Sequence, residues 1–133
     1  MRTATFYRAV MAASADRRPA EVKRVTAAVF HALRDRLTPE EADQLVAQLP
    51  RELQEVWRVG ERAGRKPEKL HRPAFYQRVM KEAQLGSIRQ ARWMTLAVLG
   101  ALKESLSPGE AEDVLAQLPK DLKELWIEAQ VPA

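Results

Sequence analysis

The sequence predicts an all-α fold, in which two tandem, pseudo-symmetric four-helix units form one bundle-like domain over residues 1–133. Three observations carry this. Apolar residues recur at spacings of three and four, while no stretch alternates apolar and polar residues with period two. Helix start and stop signals punctuate the chain at regular places. Finally, an offset of 69 residues aligns 6–57 with 75–126 without a gap, and twenty of the 52 aligned positions are identical. Each repeat is too small to cover its own apolar faces, so the two are expected to bury them against each other.

The first helix of each repeat presents Phe6, Tyr7, Val10 and Met11, or Phe75, Tyr76, Val79 and Met80, at the i, i+1, i+4, i+5 spacing of one helical face. The second runs from about Pro19 to Arg36 and from Ser87 to Ser105. Its stripe is Val22, Val25, Val29, Ala32 and Leu33, against Ala91, Met94, Val98, Ala101 and Leu102. The third begins at a capping box, Thr38-Pro39-Glu40-Glu41 or Ser107-Pro108-Gly109-Glu110. There the hydroxyl takes an orphan N–H, proline opens the helix, and the glutamate three residues on is expected to return the bond. Pro50 and Pro119 break the pattern and start a fourth helix that buries Leu53, Val56 and Trp57, or Leu122, Leu125 and Trp126. Gln48 and Gln117, just before these corners, are expected to bond free backbone groups at the helix junction.

Composition excludes several classes of function. Of 133 residues 46% are hydrophobic and 30% charged, with no cysteine, so disulfide scaffolds, thiol catalysis and thiolate metal sites are ruled out. No apolar run approaches the roughly 20 residues of a membrane span, and the N-terminus lacks a secretory pattern. Membrane partners are therefore not expected, and a cytoplasmic location is. The scarcity of isoleucine and glycine, the absence of asparagine and the preference for arginine over lysine fit a thermophilic, GC-rich source. The net charge is +4, with the first part of each repeat basic and the second acidic.

Little chemistry can be assembled from two histidines. His31 lies opposite the apolar stripe of its helix and is expected to be exposed. His71 forms a single Glu68-x-x-His71 pair, whereas carboxylate-bridged metal proteins of the four-helix type need two such pairs and further inward glutamates. Gly60 to Lys66 imitates a phosphate loop but has the wrong glycine spacing, no hydroxyl after the lysine and no preceding strand. Trp57 and Trp126 read as core. No cofactor, catalytic residue or metal ligand is expected, and the protein reads as a non-enzymatic helical binding or interaction module.

Two features stand apart from the folding pattern. Residues 58–74 join the repeats and concentrate Arg58, Arg62, Arg65, Lys66, Lys69 and Arg72, a candidate surface for nucleic acid or another polyanion. Gly60, Gly64 and Pro67 argue for an irregular path there. The second feature is Trp93, which stands where the first repeat has Arg24. With Leu96, Ala97 and Gly100 it gives the helix a second apolar face, where the matching residues are Arg24, Ala27, Ala28 and His31. That face is either wrapped by the chain itself, which is the favoured reading, or it is an interface with another subunit or protein.

The repeated block [ST]-P-x-E-A-x-x-[LV]-x-A-Q-L-P-x-x-L, followed by tryptophan, resembles the prokaryotic family catalogued as domain of unknown function 2267. The likeness spans Phe6 to Trp126 and includes the basic joining segment that ends in Leu70-His71-Arg72. The resemblance implies the fold. It brings no activity, cofactor or site residue with it.

Overall fold

The computed structural model describes residues 1–129. Among the described residues there are eight helices and no strand. In chain order these are α1 (Thr3–Ser14), α2 (Pro19–Arg36), α3 (Pro39–Val46), α4 (Arg51–Arg58), α5 (Arg72–Ala83), α6 (Ile88–Ser105), α7 (Pro108–Gln117) and α8 (Lys120–Glu128). Each element follows from the residues that open and close it. The side chains of Thr38, Ser87 and Ser107 accept the backbone N–H three residues on, at 3.1–3.2 Å, and proline occupies the first turn of α2, α3, α5 and α7. At matched positions, Ala15 and Gln84 end α1 and α5 in the left-handed region, with φ of 60° and 57°.

The two long helices α2 and α6 run through the centre and pack on each other. The halves interlock around them: α1 lies on α6, α5 lies on α2, and α3 meets α7. α4 and α8 stay within their own halves, on α2 and α6. This arrangement explains why almost every residue of α2 from Val25 to Asp35 is buried, polar ones included. The buried apolar residues, Leu70 aside, form one continuous cluster across both halves. At its centre the Phe30 ring stands 5.6 Å from Phe6 and 5.4 Å from Trp57, edge and tilted geometries that aromatic rings favour.

The ends of α4 and α8 are closed by cations from the central helices. Arg34 Nη1 donates to the carbonyls of Trp57 and Val59, both at 2.7 Å. At the matched position, Lys103 Nζ donates to those of Trp126 and Ala129 at 2.9 and 2.6 Å. Each satisfies carbonyls that no helical N–H reaches, and the positive charge suits a helix C-terminus.

The capping boxes close differently from the expected pattern. The hydroxyls of Thr38 and Ser107 act as predicted, but the glutamates do not return the bond. The backbone N–H of Thr38 donates to Gln117 Oε1 at 3.2 Å, and that of Ser107 to Gln48 Oε1 at 2.8 Å. The two glutamines do serve backbone groups, as expected, but those of the opposite half. The α3–α7 contact brings each glutamine within reach, and Glu41 and Glu110 are left for other partners.

Candidate functional site

The face of α2 opposite its apolar stripe is lined by charge. His31 is 8% exposed, against the expectation that it faces solvent, because α5 and the end of α4 cover it. Its Nε2 lies 2.7 Å from the Val56 carbonyl and its Nδ1 2.8 Å from Glu82 Oε2. A carbonyl only accepts, so Nε2 carries a proton and donates. One turn on, Asp35 accepts from Arg34 Nε at 2.8 Å and forms a short ion pair with Arg78 of α5. Arg78 also reaches Glu68 at 3.2 Å. Burial works to raise the Asp35 carboxyl, but the two guanidiniums outweigh it and hold it below the ordinary aspartate value. These residues border an open depression of about 480 Å³. Every ionisable group in its floor is tied to another, so the arrangement fastens α5 to α2.

The joining segment lies back against the body of the molecule. Arg65 donates to the carbonyls of Leu37 and Arg34 at 2.7 Å, closing the C-terminal end of α2. Arg72 Nη2 donates to the Asp121 carbonyl at 2.7 Å, and its backbone N–H to the Asp121 carboxylate at 2.6 Å. Two of the six candidate polyanion ligands therefore hold structure. Arg58, Arg62, Lys66 and Lys69 remain exposed, with Arg58 beside Gln54 and Arg62 3.8 Å from Glu68. Glu68 and His71 do not converge: His71 turns to Asp121 at 3.3 Å.

The second apolar face of α6 is largely covered by α1. Ala97 is 5% exposed, Gly100 is buried and Leu96 is half-buried, so Ala97 and Gly100 pack within the chain and Leu96 does so in part. The cover comes from the first helix of the other half. Trp93 differs. It is 56% exposed, yet its indole N–H donates to the Ser14 carbonyl at 2.9 Å, at the end of α1. Beside it is a depression of about 480 Å³ whose rim includes Asp16, Arg17, Arg18, Gln90 and Met94. Arg18 pairs with Asp16 and Glu21. Arg17 is exposed and makes no ion pair among the described residues.

A third grouping escaped the sequence reading. Where α3 meets α7, oxygen atoms of Glu41, Glu110 and Asp113 lie within 4.8 Å of one another. Glu41 is 7% exposed and Glu110 6%, while Asp113 faces solvent. Burial, and then Glu110 and Asp113, push the Glu41 carboxyl up to about 8. Gln117 Nε2 donates to Glu41 Oε2 at 3.4 Å, but Glu41 Oε1 and Glu110 Oε1 are buried without a partner. The available signal was the recurrence of a glutamate at matched positions of two capping boxes; local capping logic had assigned both of them.

Among the described residues no helix is long and apolar enough to cross a membrane. Residues 3–125 match the model of the family described as "Uncharacterized conserved protein (DUF2267)". No curated protein matches the chain.

Proposed function

The chain belongs to the DUF2267 family, and from that premise and the surface just described we propose that it is a non-enzymatic interaction module that docks an acidic segment of another protein at Trp93. The observation that carries this reading is the tryptophan itself, held by its N–H against Ser14 while more than half of it faces solvent. A large aromatic with its orientation fixed loses little entropy on binding, which is what makes tryptophan a frequent anchor of interfaces. The charge of the partner is inferred from Arg17, the exposed cation of the rim that makes no ion pair among the described residues, since Arg18 is already compensated by Asp16 and Glu21. A non-enzymatic role is supported by His31 and Asp35, both buried and both engaged by internal partners.

Photo-crosslinking in the native host from a residue next to Trp93, such as Arg89, tests the proposal. The expected result is crosslinking to a protein with a Glu/Asp-rich segment, reduced at least tenfold in Trp93→Ala, a variant whose helix content is checked by circular dichroism. Equal crosslinking by wild type and variant overturns the reading, as does crosslinking only to a second copy of the chain.

The second reading, polyanion binding through the joining segment, is favoured by the four exposed cations Arg58, Arg62, Lys66 and Lys69. It requires oligonucleotide affinity that falls steeply between about 50 and 200 mM salt. It also requires that reversing Arg62, Lys66 and Lys69 abolish binding; Arg65 is unsuitable for this test because it closes α2.

A further inference from the structure

The α3–α7 seam holds an unusual concentration of uncompensated acid. Glu41, Glu110 and Asp113 converge, and no lysine, arginine or histidine pairs with any of them among the described residues. The capping hydroxyls and the exchanged glutamines already satisfy the nearby backbone N–H groups, so the carboxylates are not needed as caps. A separate observation concerns their free valence. Glu41 Oε1 and Glu110 Oε1 belong to side chains more than nine-tenths buried and receive no hydrogen bond from any other described residue, so that without an ion a proton shared between the two carboxyls is what remains to them. A buried carboxylate oxygen without a partner is costly, and a bound ion is one of the few things that explains such an atom in a native fold.

We propose that Glu41, Glu110 and Asp113 form a binding site for a divalent calcium ion that ties α3 to α7. All three donors are hard carboxylate oxygens, which select hard cations over zinc or copper. Their oxygens lie within 4.8 Å of one another, no farther apart than the roughly 4.6–5.2 Å between opposite ligands of calcium with its bonds of about 2.3–2.6 Å. Magnesium usually keeps several waters and takes one or two carboxylates, so a set of three, two of them buried, favours calcium. Asp113 is on the solvent side, so water completes the coordination there and the ion has a route in. Glu110 and Asp113 are spaced i, i+3 on α7 and act from one helix face, while Glu41 reaches across from α3. The ion takes the place of a proton shared between the two buried glutamates, joining the halves where Gln48 and Gln117 already cross.

Isothermal titration with calcium chloride after EDTA treatment and buffer exchange, at about pH 8.5, above the value of about 8 to which Glu41 is raised, tests the site. The expected result is one ion per chain, a rise in Tm with calcium, and at least tenfold weaker binding in Glu110→Gln and in Asp113→Asn. Both variants are near-isosteric, and removing negative charge from a crowded seam does not threaten the fold. No binding up to about ten millimolar calcium, well past the weakest calcium modules, overturns the proposal. So does binding that survives both substitutions, or magnesium binding as tight as calcium. None of these outcomes bears on Trp93, so this site and the docking surface stand or fall separately.

Discussion

The two central helices are each covered on their second face by the first helix of the opposite half, and the two covers are built from different chemistry. On α2 the cover is polar: His31 bonds Glu82, Arg78 pairs with Asp35, and Arg24 Nε reaches the Ala83 carbonyl at 3.4 Å. On α6 the matched residues are Trp93, Leu96, Ala97 and Gly100, and α1 meets them through apolar contact and a single bond from Trp93 to Ser14. A helix can be sealed by either means. The polar cover uses up its functional groups in doing so, because buried charges and N–H groups must find partners. The apolar cover needs no such pairing, and it leaves one large side chain anchored and facing outward.

That contrast is broken most severely from the polar side. Arg78→Ala removes the α5 partner of an aspartate that is 8% exposed and leaves Arg34 alone to compensate it. The expected cost is about 2–3 kcal/mol, less than for a fully enclosed pair because Arg78 is partly solvated. Urea denaturation of the two proteins measures it, and a loss below about 0.5 kcal/mol, the ordinary level for surface changes, shows that the α2 cover is held by packing alone.

Acid should weaken the same cover. The folded-state carboxyl of Asp35 lies below its unfolded value, so its contribution is fully present above the ordinary aspartate pKa of 3.8 and is lost as pH falls through the folded value. Asp121 behaves in the same sense: burial raises it, but the Arg72 backbone N–H and the His71 ring bring it below 3.8. Stability followed downward from about pH 5 should therefore drop in wild type and drop less in Arg78→Ala. Parallel curves for the two proteins would show that the Arg78 pair does not set the acid response.

The smallest effect belongs to the apolar cover. Trp93→Phe keeps most of the ring and loses the N–H bond to Ser14, at an expected cost of about 1 kcal/mol. Chemical denaturation reads that cost, and a value above that for Arg78→Ala would reverse the ranking of the two covers.

Individual residues show how far sequence reasoning reached. The ends of α2, α3, α6 and α7 were legible because proline, serine and threonine act on the backbone within three or four residues. Trp57 and Trp126 were legible as core because helical spacing puts them on the same face as Leu53 and Leu122; both are almost fully buried. Trp93 was singled out by its mismatch with Arg24, without any knowledge of what lies against it. His31 was misplaced because a helical wheel gives an angle and not a neighbour, and the neighbour is α5, some 50 residues on in the chain. For Ala97 and Gly100 the same limit left two readings open, burial by the chain itself, which was favoured, and an interface; α1 supplies the burial.

What the sequence determined by itself is the set of helices, their limits, their apolar faces and the correspondence between the halves. All of these arise from periodicity and from bonds spanning a few residues. Only the tertiary structure decided which helix covers which: α1 on α6, α5 on α2 and α3 on α7. Those pairings send Gln48 and Gln117 to the opposite half, leave Trp93 half in solvent, and bring Glu41, Glu110 and Asp113 together. The physical reason is range. Backbone capping and helical spacing act locally, whereas partners for buried charge and exposed aromatic surface come from residues tens of positions away, fixed only when the whole core has packed.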